Sequence, residues 1–527
     1  MLVEARGVAV ASAVSRLTGY VRTASLGAAL GGSLVADIYA NAVLVPAVVE
    51  SVILGAAFSG FLVRLLTGAV LESGEDEVLF VQRLVTLTFV CLGILATAMW
   101  LSVDLLANLF ADVQARALLT QFLYLVIPTF IFSGMYLVYS AVLNVHRRFR
   151  PAAWAPVGAN MLVSAIAWYV AGSLRDGQDS PATFPRWIAI LIAGATLMAS
   201  IFQVVVLIPF LRSVRVTFRA RFDFSLLPLR SVARNFLWGL VAAGSGQASI
   251  VVIAILANRA SVQGYAGLFI FNNVYLLMAA AHGVITLSIN TVVLPRMSEA
   301  AHGLDRGDVA AQADFACVYC VLLLVPVSVV FLVLSGDIGR LLFQWGRFSP
   351  ADLAGMAPVI AVAAVALVPF SLSQIVLMAF WAFEDLRTVA LLGFPTYLLR
   401  IVLSIAAFVV LHPRYATAGT MGALAISFLL EIAIARHLLR RRKIVIWAHG
   451  ATRTMSRALL AGLAASVFTA VFTHYMLAAA PTAKVAEMLY FGAGCCCAVV
   501  SYVVFCWLFQ VSEMRRLVTV VTGWLRS

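Results

Sequence analysis

Arginine inside apolar sequence is the residue of this chain best placed to do chemistry. Arg16 and Arg22 lie in the stretch GVAVASAVSRLTGYVRTASLGAAL, ten and sixteen residues beyond Arg6. Both cannot reach an aqueous surface by extending their side chains. An arginine at the centre of a lone membrane helix costs about 2.5–3.5 kcal/mol on insertion scales, so a hydrated cavity or a partner is expected for each. A six-residue spacing sets the two about 120° apart around an ideal helix, and Gly19 between them permits a bend that brings them closer. A guanidinium keeps its charge in a poorly hydrated site and offers a planar fork of donors, which suits phosphate or pyrophosphate. Two readings stay open: an anion site in a cavity, or one interfacial anchor and one helix–helix ion pair.

Other polar groups stand where lipid would not tolerate them alone. Asp37 and Glu50 fall in the second apolar run. Asp37 reads as a partner for Arg22 or a cap at the outer face. Glu50 reads as cavity lining or a coupling-ion ligand, or else as a structural partner of Arg16. Arg400 follows Pro395 in the eleventh run, and Glu431 in the twelfth would serve as its structural partner unless Arg400 belongs to a site of its own. Asn272, Asn273, Tyr275 and His282 form a polar series on the eighth run, either lining a cavity opposite Arg16 or making interhelical hydrogen bonds.

The elements that must position these groups are membrane helices. Of 527 residues, 63% are hydrophobic and 11% charged, whereas soluble domains carry about 25% charge. Too few polar side chains remain to coat a water-exposed surface, which excludes soluble enzymes and nucleic-acid readers. Apolar runs near 7–30, 35–63, 80–103, 119–143, 152–174, 187–211, 235–257, 264–294, 313–335, 356–382, 388–411, 416–439, 457–479 and 485–510 give about fourteen helices able to cross ~30 Å of hydrocarbon. Alternating strands of a barrel are absent from the pattern.

The connections are short and leave no room for an extramembrane catalytic domain. Lys443 and Lys484 are the only lysines, neither in a phosphate-binding loop, so a gradient such as that of a monovalent cation, the membrane potential or the substrate itself is the expected source of energy, and no cofactor is called for. Cys317 and Cys320 have C-x-x-C spacing but lack a second pair, so all seven cysteines read as packing residues. Basic clusters at Arg147, Arg148 and Arg150, at Arg212, Arg215, Arg219, Arg221, Arg230 and Arg234, and at Arg436 to Arg457 recur on alternate connections; Arg515, Arg516 and Arg526 add to the tail. That bias predicts a multi-pass protein with both termini cytoplasmic.

A weak repeat joins LNVHRRFRPAAWAPVGANMLVSA to FWAFEDLRTVALLGFPTYLLRIVLSIA about 237 residues later, and AAFSGFLVRLL to INTVVLPRMSEA. An offset of six helices in the same orientation predicts two parallel six-helix lobes plus two C-terminal helices, a transporter architecture. The expected divisions are 1–225, 226–445 and 446–527.

The segments SRLTGYVRTASLGAALG, ADIYANAVLVPAVVESVILGAAFSGFLV, AVLNVHRRFRPAAWAPVGAN, LLFQWGRFSPAD and AFEDLRT, in this order, resemble the MurJ/MviN family of the multidrug/oligosaccharidyl-lipid/polysaccharide exporter superfamily. The resemblance spans nearly the whole chain. It implies a flippase without chemical catalysis that moves the undecaprenyl-pyrophosphate-linked peptidoglycan precursor, lipid II, between leaflets of the bacterial cytoplasmic membrane by alternating access. It implies a cationic central cavity from the first, second and eighth helices, with Arg16 and Arg22 on the head group and Asp37 in gating or charge balance. The last two helices would take the lipid tail, and cell-wall synthesis proteins would be partners; no nucleic acid is implied. The chain departs from the family at Glu50-Ser51, where a basic residue is usual, at Gly55 in place of an acid, and at Tyr275-Leu276 in place of an arginine. Those departures keep two other readings open, a transport-dead scaffold for cell-wall synthesis and an ion-coupled exporter of small molecules.

Overall fold

The computed structural model describes residues 2–55, 76–174, 177–178, 180–214, 219–223, 229–477 and 484–524. Every regular element among them is a helix. Thirteen of these helical stretches are long and apolar enough to cross a membrane, so the chain is an all-α, multi-pass membrane protein. The thirteen match the expected runs from the second onward. The first run is also one helix of 29 residues, but it is not among the thirteen; Arg16, Arg22 and its hydroxyl residues lower its hydropathy. Residues 56–63 of the second expected run, the segment AAFSGFLVRLL, Arg215 and Arg526 lie outside the described residues.

Packing divides the chain into two units, Met1–Phe269 with Trp345–Ser349, and Ile270–Gln344 with Pro350–Ser527. The first holds α1 (Leu2–Leu30), α2 (Leu34–Leu54), α3 (Asp76–Leu101), α4 (Val103–Phe110), α5 (Val113–Val126), α6 (Thr129–Val145), α7 (Phe149–Ser173), α8 (Arg186–Ser213) and α9 (Leu229–Val262). The expected fourth run is thus two helices, α5 and α6, with the break at Ile127 and Pro128, where proline supplies no amide to continue the ladder. Its core is apolar and aromatic: Leu119, Phe122, Leu123 and Phe130 are fully buried.

Small residues bring the helices of this unit close. Asn160 of α7 donates to the Ser15 carbonyl and the Thr18 hydroxyl of α1, both at 3.3 Å. A side chain at Gly158 would run into the Phe202 ring of α8. Close contact of this kind, with a few hydrogen bonds across it, is how helices associate where lipid supplies no hydrophobic drive.

The seventh run was expected to open a second lobe at residue 226. By packing, α9 belongs with the first unit, and the division falls after Phe269. The reason is that α9 packs along α2, with polar links across the contact: Asn41 of α2 donates to the Asn258 side chain of α9 at 2.7 Å, and Asn258 donates to the Phe110 carbonyl at 2.9 Å. Likewise no division falls at 445/446, because the last helices pack into the second unit.

That unit contains α10 (Leu268–His302, from Ile270), α11 (Arg306–Val333), α12 (Ser335–Phe343), α13 (Pro350–Ala382), α14 (Leu386–Val410), α15 (Pro413–Arg441), α16 (His449–Leu477), α17 (Lys484–Leu508) and α18 (Ser512–Trp524). Helix α13 packs between α11 and α15, and α16 packs on α11 and α17. Asp314 of α11 accepts from the Trp447 amide at 2.5 Å and the Ala448 amide at 3.1 Å, occupying the start of α16 with a carboxylate from another helix. All seven cysteines are free thiols, and Cys317 and Cys320 are buried.

The turns on which the first sequence repeat rests share their backbone. Arg147 and Glu384 both adopt left-handed φ, at 59° and 55°. In each turn the next amide reaches back five residues, Arg148 to the Leu143 carbonyl and Asp385 to the Phe380 carbonyl. The same helix-ending pattern also occurs at Leu304 and Lys443; what the repeat adds is its register.

The segment LLFQWGRFSPAD carries a second tight turn. Gly346 has φ 58°, and a Cβ there would run into the Ala28 carbonyl at the end of α1. The neighbouring Arg347 amide donates to that carbonyl at 2.9 Å. Gly346→Ala is therefore expected to lower the apparent melting temperature of the detergent-solubilised protein, by strain and steric overlap together costing about 1 kcal/mol or more. An unchanged melting temperature would contradict this packing.

Candidate functional site

Helix α1 has one face laid on α7 and another turned outward. Arg16 is exposed and Arg22 is half-buried. Neither makes a hydrogen bond or ion pair with any described residue. The pairings Arg22–Asp37 and Arg16–Glu50, considered from the sequence, are not formed. Two guanidiniums whose donors meet no acceptor among the described residues therefore stand on α1.

Asp37 is fully buried in α2. Its Oδ1 accepts from the Phe269 amide at 2.5 Å, placing a carboxylate at the first turn of α10, where unpaired amides and the helix dipole favour negative charge. Gly267 allows this approach, since a Cβ there would collide with the Asp37 carboxylate. Glu50, half-buried near the end of α2, accepts from the Ser133 hydroxyl of α6 at 2.7 Å. Ser133 gave no signal in the sequence, because serine is common at helix contacts in membranes.

The remaining candidates lie in the second unit. Asn272 is exposed and Asn273 buried, one on each side of α10. His282 is buried, with Nδ1 2.9 Å from the Ser371 hydroxyl and its ring centroid 4.4 Å from that of Phe370. Phe370 also packs on Tyr275 and Phe428, at 6.3 and 5.1 Å.

Arg400 enters the same cluster from α14. It is 6% exposed. Its guanidinium carbon sits 5.1 Å from the Tyr397 ring and 4.8 Å from the Phe428 ring, and Nε donates to the Ser427 hydroxyl at 3.0 Å. Glu431, 4% exposed, is within electrostatic reach but forms no ion pair with it. The expected Arg400–Glu431 pair is thus corrected: two aromatic faces and a hydroxyl hold the cation, with the carboxylate as a nearby counter-charge. A desolvated guanidinium on an aromatic face is worth about 2 kcal/mol. The aromatic partners were missed because Tyr397 and Phe428 read as ordinary apolar positions.

The sequence-predicted residues therefore separate by chemistry. His282 and Arg400 are buried in one aromatic cluster around Phe370 and Phe428, with Tyr275 at its exposed edge; Asp37 and Glu50 accept hydrogen bonds within the first unit; and Arg16 and Arg22 meet no acceptor among the described residues. Among the described residues, no group of His, Cys, Asp and Glu is arranged to hold a metal.

Within the cytoplasm-facing connections expected from the sequence, one acid at a helix junction is tuned as well. Asp385 precedes α14 and accepts from the Thr388 amide and hydroxyl and from Arg442. Partial burial raises its pKa, but those hydrogen bonds and the Arg442 charge outweigh it and leave the carboxyl below its ordinary value.

A family model described as lipid II flippase MurJ matches residues 26–490. A probable lipid II flippase MurJ of Rhizobium meliloti (strain 1021) is 28% identical over 388 residues, covering 71% of this chain and 69% of that one. A lipid II flippase MurJ of Burkholderia cenocepacia is 24% identical over 389 residues, covering 71% and 72%. Among solved structures, a lipid II flippase MurJ in an inward closed conformation superposes with a TM-score of 0.74 at 17% identity, over 97% of this chain and 99% of that one. An inward-facing multidrug resistance MATE family transporter gives 0.61 at 13% identity, over 81% and 95%. At those identities the two structures establish the fold.

Two outcomes test this geometry. Asp37→Ala and Gly267→Ala should each lower the apparent melting temperature, and the double variant should be no worse than the more damaging single one, because both remove the same contact. Additive losses would mean the two residues act separately. Arg400→Lys should destabilise almost as much as Arg400→Leu, since an ammonium cannot lie flat on two rings; full retention of stability by the lysine variant would show that charge alone matters there.

Proposed function

Because the chain belongs to the MurJ family of lipid II flippases, we propose that it moves the undecaprenyl-pyrophosphate-linked peptidoglycan precursor from the inner to the outer leaflet of the bacterial cytoplasmic membrane. The mechanism is alternating access, with both termini cytoplasmic. The head group is held by Arg16 and Arg22.

One observation carries the assignment of the binding groups. Arg16 and Arg22 have no partner among the described residues, whereas Arg400 lies on aromatic rings and Arg442 meets Asp385. A pyrophosphate supplies what the two unpaired guanidiniums lack: two adjacent anionic groups with several acceptor oxygens, suited to charge-assisted, bidentate hydrogen bonds. The family position occupied here by Tyr275 keeps its ring within a cluster containing Arg400. Arg400 is buried and held, so the cationic contribution to the head group rests on α1.

The polyprenyl tail needs an apolar surface. Helix α16 exposes Leu460, Leu463, Val467 and Val471, spaced three or four apart on one face. That stripe suits a long hydrocarbon and supports the assignment of the last two long helices to the tail. The membrane potential or a monovalent cation supplies the energy, as no nucleotide-binding loop is present in the sequence.

The test is depletion and rescue in a bacterium that depends on this activity. Variants Arg16→Ala and Arg22→Ala that insert at wild-type levels should fail to restore outward appearance of the precursor, the double variant completely. Lysine at either position should restore part of it, because the charge returns without the fork. Rescue by the double alanine variant with normal outward appearance would overturn the assignment of the head-group site; growth rescue without outward appearance would point to scaffolding of cell-wall synthesis.

A further inference from the structure

The first unit contains a pocket of about 160 Å³ that the preceding function does not use. It lies between the first turns of α2, the α4–α5 corner and the last turns of α9, with room for a small polar head group rather than a whole lipid. Its polar lining is Asn41, Asn108, Asp112, Asn258 and Arg259.

Hydrogen bonding fixes the orientation of the deep amides. The Phe110 carbonyl can only accept, so Asn258 presents its nitrogen there and its oxygen to Asn41. Asn41 must then turn its nitrogen to Asn258 and to the Asp37 carbonyl, both at 2.7 Å. Flipping either amide would break this chain. What remains is Asn41 Oδ1, an acceptor on a side chain 2% exposed, with no donor among the described residues. A buried acceptor left unmet costs about 1–3 kcal/mol, so the pocket asks for an N–H or O–H.

Two opposite charges stand at the same pocket. Asp112 occupies the N-cap position of α5, yet its side chain makes no cap hydrogen bond. Arg259 near the end of α9 is exposed. Neither forms an ion pair with the other or with any described residue. Beside them α4 exposes Leu105 and Leu109, four residues apart, and exposed Leu101 at the end of α3, Val113 of α5 and Val262 of α9 add to this leucine stripe. A short amphipathic helix with such a face rests in the interfacial layer of a membrane.

We infer that this pocket binds the head group of a phosphoethanolamine lipid, with its phosphate on Arg259, its ammonium between Asp112 and Asn41 Oδ1, and its acyl chains along the leucine stripe. Each group selects. A choline head has no N–H for Asn41, and an anionic glycerol head would leave Asp112 facing net negative charge. Arg259 serves every phosphate alike. The inference is independent of the flippase reading, since it rests on none of the residues assigned to the pyrophosphate.

Native mass spectrometry of the purified full chain with phosphatidylethanolamine, phosphatidylcholine and phosphatidylglycerol of matched chains tests it. Wild type should retain the ethanolamine lipid roughly tenfold more than either competitor, the worth of one charge-assisted hydrogen bond. Asp112→Asn should erase the preference over the glycerol lipid, and Arg259→Gln should weaken retention of all three. Asn41→Leu should erase the preference over choline; should it fail to fold, the two exposed variants still decide. Equal retention of the three lipids by wild type, or selectivity unchanged in Asp112→Asn and Arg259→Gln, would overturn the proposal.

Discussion

Charge inside a low-dielectric helix bundle must be met by water, an opposite charge, aromatic faces or helix-terminal dipoles. This chain uses these solutions at different places, and the choice made at each residue decides what that residue can do. Arg400 lies on the rings of Tyr397 and Phe428. Asp37 and Asp314 sit at the starts of helices other than their own. Arg16 and Arg22 are met by nothing among the described residues and, unlike the unpaired Arg259 in the last turn of α9, lie well within their helix.

Acids at helix starts recur enough to count as a building rule of this fold. A helix beginning within or near the membrane leaves amides without partners, and an unmet amide is far costlier there than in water. A carboxylate brought in from a neighbouring helix satisfies an amide and welds two elements at once. That is why Asp37, read from the residues as a partner for Arg22 or an outer-face cap and by resemblance as a gating or charge-balance residue, has its Oδ1 committed to the Phe269 amide, and why glycine stands opposite it at position 267.

Much of this architecture was legible in the sequence because hydrocarbon imposes a length and an apolarity that few other environments require. The runs from the second to the last each became a helix or, at Ile127 and Pro128, a helix pair. The repeat was legible at the level of single residues, since Arg147 and Glu384 make the same turn 237 positions apart. Packing partners were not. Whether Arg400 would find Glu431 or a pair of rings depends on how α13, α14 and α15 rotate about their axes, and the apolar pattern of a membrane helix, lipid-facing on one side and protein-facing on the other, encodes that rotation poorly. Helix α9 packs along α2 in the first unit, and the polar link across that contact, Asn41 to Asn258, gave no signal in the sequence.

The central claim is that the two unpaired guanidiniums of α1 read the pyrophosphate. It is tested most directly by comparing the binding of purified protein to the polyprenyl-pyrophosphate-linked disaccharide and to the same disaccharide on a polyprenyl chain through an uncharged linkage. Wild type should discriminate strongly for the pyrophosphate, and replacing both Arg16 and Arg22 by alanine should collapse that discrimination while leaving binding of the uncharged compound unchanged. Discrimination preserved in the double variant would contradict the account.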